Sequence, residues 1–240
     1  PGKQGLWPSI WMLGNLGRAT FKDSTDGLWP WSYDQCDRPG GVEDLTGFRQ
    51  RISRCDADPG FGLNPFQGRG SPELDMLESS IADKWEDVAF NMSGYRPNAT
   101  FVQGALQVAP RIPQTLTPSA GDPPTADQPF YRDIHFGPNT LQNTLFYGYA
   151  NYDSISTEAI ADDSLYSEPK RVTLEWRPGP EGYVRWSWEG TLIQEIDAET
   201  LGRYGSTPAR LIPTEPMYLI MGTSVSEIWA KHIPQDLFPA

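Results

Sequence analysis

The chain has 240 residues, enough for one large domain with a sizeable core. Its 38% hydrophobic and 21% charged residues fit a globular protein and exclude an intrinsically disordered one. A net charge of −12 argues against nucleic-acid backbone binding, which needs Lys and Arg, and fits a neutral ligand. An acidic surface kept for solubility explains most of that charge equally well. The 23 Gly and 23 Pro suit many turns and few long helices, so an all-β chain is expected. Nine Trp is an unusual number; such rings stack on sugars and also fill cores.

Leu6–Leu13 reads as the first strand, with Trp7, Ser9 and Trp11 on one face and Ile10 and Met12 on the other. The first set suits a cleft and the second a core; for Trp7 a core position is an equal alternative. Residues 14–69 are rich in Gly, Pro and Asp and weakly periodic, so they read as a long loop insertion. That loop carries Trp29, Trp31 and Tyr33. They suit either a wall over a binding groove or an aromatic cluster holding the loop together. Trp31 is taken as a ligand-binding candidate. Asn15, just after the first strand, is positioned to meet a sugar hydroxyl; an Asn in a turn is the simpler account.

Cys36 and Cys55 flank one segment of this loop. A disulfide between them would close about 19 residues and stabilise by on the order of 3 kcal/mol; a buried free pair is the alternative. Two glycosylation sequons, at Asn91 and Asn98, point to the same secretory compartment as a disulfide would.

Glu73-Leu74-Asp75-Met76-Leu77-Glu78 is the most informative run. Alternation puts Glu73 and Asp75 on one face and Leu74 and Met76 on the other. Strict alternation would turn Glu78 away. One extra residue at Met76–Leu77, a β-bulge, returns it beside Asp75. Crowded acids raise one another's pKa, and two carboxyls of different pKa are what glycoside hydrolysis uses. A solvated edge strand is the alternative for the run alone. Glu73 and Glu78 are roughly 13 Å apart along a bulged strand, so spacing alone decides between neither retaining nor inverting chemistry.

Phe101–Val108 reads as a strand with Gln103, Ala105 and Gln107 on a polar face, and Gln107 as a candidate sugar ligand or an ordinary solvent-facing amide. Trp85–Met92 and Asn143–Asn151 read as further strands, and Ala109–Pro129 as a surface loop. Ile155–Glu168 is polar without a clear period. Arg171–Arg177, Tyr183–Glu189 and Thr191–Ile196 alternate well, with Glu189-Gly190 as a hairpin turn and the Trp residues on the apolar phase. Asp197–Tyr204 reads as one helical turn, and Pro216–Val225 as the last strong strand. His135 and His232 are far apart, no Cys/His grouping has metal-ligand spacing, and no phosphate loop or Ser-nucleophile motif occurs, so no metal and no cofactor is expected. No apolar run reaches membrane-spanning length.

Glu-x-Asp-x-x-Glu after Gly70-Ser71-Pro72 resembles the active-site strand of glycoside hydrolase family 16, and Gly5–Leu13 resembles that family's aromatic strand. Gly14–Ala19, Trp31–Asp37, Gly68–Gly70 and Leu106–Pro110 are similar to the β-glucan synthesis-associated subgroup of fungi and related eukaryotes. The resemblance covers most of the chain. It implies a concanavalin-like β-jelly-roll sandwich: two antiparallel sheets with a concave active-site cleft. Residues 1–240 would form a single partial domain of it, with opening strands before Pro1 and a closing strand after Ala240.

The resemblance also implies a retaining mechanism with Glu73 as nucleophile, Glu78 as general acid/base and Asp75 between them, and Trp11 on the cleft floor. The implied activity is glycosidase or transglycosylase action on cell-wall β-glucan. A non-catalytic glucan-binding scaffold is the alternative. The expected partner is a β-glucan polysaccharide or oligosaccharide. The expected location is the secretory lumen or the cell surface and exterior, with a parent protein membrane-anchored outside these residues. The chain departs from the family pattern in two places: no His precedes Glu175-Trp176, and Gly222 stands where relatives often have Asn.

Overall fold

A computed structural model describes residues 6–19, 28–31, 57–58, 65, 70–81, 100–109, 134–137, 140–142, 152–161, 163–203 and 209–225. Ten strands are described: β1 Leu6–Gly14, β2 Glu73–Ile81, β3 Thr100–Val108, β4 Ile134–Phe136, β5 Thr140–Gln142, β6 Asp153–Ala161, β7 Val172–Arg177, β8 Tyr183–Trp188, β9 Thr191–Asp197 and β10 Met217–Val225. They form a six-stranded sheet in the order β10-β1-β2-β3-β6-β5 and a four-stranded sheet in the order β4-β9-β8-β7. The named pairings are all antiparallel. This is the all-β two-sheet sandwich expected from the jelly-roll resemblance. Among the described residues no helix is long and apolar enough to cross a membrane.

The core lies between the sheets, because each large strand turns one apolar row inward. Leu74, Val102, Leu106, Val108, Ile155, Ala159 and Ala161 from the large sheet meet Val184, Trp186, Ile193 and Ile196 from the small one. Met12 and Leu77 pack against the same cluster, so β1 and β2 keep the inward phase read from their sequences. The outer side of the small sheet is charged: Arg185 lies between its cross-strand neighbours Glu175 and Glu195, at 3.0 and 2.5 Å.

The Glu189-Gly190 hairpin is as read. Both residues have positive φ, 48° and 80°, which a two-residue type I′ turn requires. Two readings are corrected. Residues 155–161 belong to β6, a strand buried on both faces, and a short 3₁₀ turn, Asp163–Tyr166, follows it. The alternation was there, but Ser154, Ser156 and Glu158 held the outward phase and small residues much of the inward one, so no apolar period stood out. After Asp197 the chain makes a hydrogen-bonded turn instead of a helix, with the Asp197 carboxylate accepting from the Thr200 amide at 3.1 Å.

One ionic contact is fully interior. Arg210 donates to Asp153 at 2.5 Å, and the two are 2% and 0% exposed. It ties the segment before β10 to the start of β6. The expected strands Trp85–Met92 and Asn143–Asn151, the cysteines Cys36 and Cys55, and the sequons at Asn91 and Asn98 lie outside the described residues.

Candidate functional site: a carboxylate cluster on the large sheet

The face of the large sheet turned away from the core carries the acids. In the β1–β2 ladder Ser9 pairs with Glu78, Ile10 with Leu77, and Trp11 with Asp75, so β2 holds one residue more than β1 at Met76. Against β3, Asp75 pairs with Ala105 and Glu78 with Gln103, and the register shifts between them. This is the bulge that the acidic run required. Directly paired residues share a face, so Glu73, Asp75 and Glu78 lie with Trp11, Ser9, Gln107 and Gln103.

The three side chains are in mutual contact electrostatically and through hydrogen bonds. Asp75 is 1% exposed and Glu78 7%, while Glu73 is half-buried. Burial pushes Glu73 well above the ordinary carboxylate range; the Asp75 charge, a hydrogen bond to Asp75 and the Glu78 charge add to this, and the Trp29 indole opposes it. Burial also raises Asp75, to about 6, against hydrogen bonds from Glu73 and Gln107. Glu78 is raised well above its range by burial, then by the Asp75 charge and the nearby Glu158, with a hydrogen bond from Trp7 opposing. The hydrogen bond between Glu73 and Asp75 acts in opposite senses on the two, raising Glu73 and lowering Asp75. A hydrogen bond of this sense favours the protonated form of Glu73 over that of Asp75.

The other candidates fall in different places. Gln107 donates its amide to Asp75 at 3.0 Å and to Glu73 at 3.4 Å, so it braces the acids and its N–H is not free for a sugar hydroxyl. Trp7 acts on Glu78, lowering its pKa against the other influences, so it belongs to the site. Trp11 is half-buried beside Asp75 in the ladder. Asn15 is an exposed residue of the turn after β1, and its backbone amide donates to the Pro216 carbonyl at 3.0 Å.

Trp31 is a correction. It is wholly buried with Ala109 and Tyr152 in a second small core, so neither face of its ring is open to a ligand. It is held there by backbone bonds: its amide donates to the Leu28 carbonyl at 2.9 Å, and the Ala109 amide donates to Pro30 at 3.0 Å. Of these two rings the one that reaches the acids is Trp29, whose indole N–H donates to Glu73 Oε2 at 2.5 Å and whose ring centroid lies 4.6 Å from that of Tyr152 in a T-shaped pair. Nothing in the Trp-Pro-Trp sequence distinguishes the two rings. Glu158 is a further acid on this face, one strand beyond Gln103. Its alternation with Ile155 and Ala159 was the signal that could have found it.

Among the described residues no group of three or more His, Cys, Asp or Glu side chains is placed to hold a metal ion. The chemistry this cluster can perform is acid–base and nucleophilic, from carboxyls in three distinct environments.

A two-sheet antiparallel sandwich with a bulged acidic strand at the middle of its larger sheet is consistent with the class of jelly-roll sandwiches. The chain is a member of the β-glucan synthesis-associated protein SKN1/KRE6/Sbg1 family, whose model matches residues 1–240. It is 29% identical over 241 residues to β-glucan synthesis-associated protein KRE6 of Candida albicans, covering 94% of this chain and 30% of that protein. It is 30% identical over 246 residues to KRE6 of Saccharomyces cerevisiae, with the same coverage, 94% and 30%. SKN1 of Candida albicans is 29% identical over 259 residues, 98% of this chain and 30% of the relative. The chain thus spans about 30% of the length of these curated relatives. No solved structure matches it. The resemblance to glycoside hydrolase family 16 is consistent with this membership.

Proposed function

We propose that this chain is the glucan-active part of a protein of cell-wall β-glucan synthesis or remodelling, and that it acts as a retaining glycosidase or transglycosylase on β-1,3 or β-1,6 glucan. The observation that carries the reading is the bulge at Met76–Leu77, which brings Glu73, Asp75 and Glu78 onto one face. The names of the relatives supply the polymer class.

In this reading the proton on Glu73 passes to Asp75, and the freed Glu73 carboxylate attacks the anomeric carbon. Glu78, kept protonated by burial and its neighbours, donates to the departing glycosidic oxygen. Glu78 then takes a proton from the acceptor as the glycosyl–Glu73 bond breaks, and Asp75 returns its proton to Glu73. Water as acceptor gives hydrolysis and a sugar hydroxyl gives transfer. Trp29 holds one oxygen of Glu73, which orients that carboxyl.

A second reading, a glucan-binding sandwich without turnover, is favoured by the depth of the acids, with Asp75 only 1% exposed. Glu73→Gln separates the two. An enzyme loses turnover of laminarin-type oligosaccharides by at least about a thousandfold and still binds them. A pure binder shows no turnover before or after the substitution. Product lengths decide the acceptor: shorter chains mean hydrolysis, longer ones transfer. We place the protein in the secretory lumen or at the cell surface, on a membrane-anchored parent. The sequons at Asn91 and Asn98 and the pair Cys36 and Cys55 support this.

A further inference from the structure

The acidic bulge is held from beneath. Trp186 lies in β8, in the other sheet, and is fully buried. Its indole Nε1–H donates to the backbone carbonyl of Asp75 at 2.8 Å. A bulge breaks the regular ladder and leaves local backbone groups without strand partners. A buried carbonyl left unpaired loses its hydration with nothing in return. Here the carbonyl next to the bulge finds its donor across the core.

Two more features converge on this contact. Gly104 sits between Gln103 and Ala105, directly across from the bulge. A Cβ at that position would lie 2.5 Å from Trp186 Cδ1 and 2.8 Å from its Nε1, so only glycine lets the indole reach the carbonyl. The ladder at Trp186 is itself irregular: between Trp186 and Ser187 the register shifts, and β9 carries one extra residue, Ile193. Two bulges thus face each other through one indole. By contrast, Trp176 makes the same kind of bond, to the Pro213 carbonyl at 2.8 Å, but does not touch β2 through it.

We propose that Trp186 is a positioning residue for the acidic strand: its N–H fixes the Asp75 carbonyl, and Gly104 is the opening through which it does so, and this sets the bulge that turns Glu78 to the side of Glu73 and Asp75. Its effect on turnover rests on the glucan-active reading; its effect on the acids does not.

The test uses the full chain with ¹³C-labelled Asp and Glu carboxyls, in the wild type and in Trp186→Phe, Gly104→Ala and Trp176→Phe. Trp186→Phe keeps a ring and loses the donor. Gly104→Ala keeps the donor and blocks its path. Trp176→Phe loses an equivalent bond elsewhere. Both site variants shift the titration of Asp75 and Glu78 and lower kcat on laminarin-type oligosaccharides about ten- to a hundredfold, with KM nearly unchanged. Trp176→Phe lowers the melting temperature but leaves the titration and kcat in place. In the wild type the Trp186 indole proton is strongly protected from exchange. The proposal is overturned if folded Trp186→Phe titrates like the wild type, if Trp176→Phe moves the acids as much, or if the indole proton exchanges freely. The exchange measurement decides even where a variant does not fold. If the wild type turns over no glucan, the catalytic reading fails while the titrations still judge the positioning claim.

Discussion

β3 and β10 are both nine-residue strands of the same sheet, yet they have opposite fates. β3, Thr-Phe-Val-Gln-Gly-Ala-Leu-Gln-Val, is buried at every position. β10, Met-Tyr-Leu-Ile-Met-Gly-Thr-Ser-Val, is at least as apolar and is half or fully exposed throughout. Leu106 and Val108 are 0% exposed; Leu219, Met221 and Val225 are 53, 70 and 54% exposed. The difference is position. β3 has β2 and β6 on either side and the small sheet beneath it; among the described residues β10 is an edge, paired with β1 alone. Burial follows from the number of neighbouring layers and strands, and composition only permits it.

The interior side of this contrast breaks most severely at the Arg210–Asp153 pair, since Asp153 sits beside Val108 in the ladder. Arg210→Met strands a buried charge and is expected to destabilise by about 3–5 kcal/mol in denaturant unfolding. Leu106→Ala, a simple cavity in β3, is expected to remove about 2–5 kcal/mol. A loss under about 1 kcal/mol would mean that β3 is not the closed interior described.

The acids give a pH form of the same contrast. Each of the three is raised in the folded chain, so the fold holds protons that the unfolded chain releases. Their favourable contribution is complete below the ordinary carboxylate range and is lost as pH rises through the raised values, about 6 for Asp75. Stability should therefore fall as pH rises from 3.8 to about 6 through Asp75, with the two glutamates adding in the same direction. Asp75 alone, moved from 3.8 to about 6, accounts for on the order of 3 kcal/mol. Asp75→Asn should flatten part of this slope and stabilise the chain at neutral pH; a slope that rises with pH would refute the account. The smallest effect belongs to the edge. Met221→Ala should change stability by no more than about 0.5 kcal/mol.

What could be read in advance follows the same physics. The acidic run declared its bulge because three carboxylates and two leucines cannot otherwise keep to their faces. β1, β7, β8 and β9 showed period-two apolar rows. β6 hid because its outward row is polar by role and its inward row partly small. Trp186 was legible as core, but its bond to Asp75 joins residues far apart in sequence, and no local pattern encodes it. Trp29 and Trp31 flank Pro30, and only the backbone bonds to Leu28 and Ala109 decide which ring turns inward. Where an outcome depends on local period, sequence suffices; where it depends on which distant group fills a space, it does not.

The indole of Trp29 touches Glu73 at one end and Tyr152 at the other. Indole emission responds to a charge placed at its nitrogen, so this ring is an intrinsic optical probe of the nucleophile candidate. Difference fluorescence between the wild type and Trp29→Phe would follow the gain or loss of that single proton, and the arrival of a saccharide, without any attached dye.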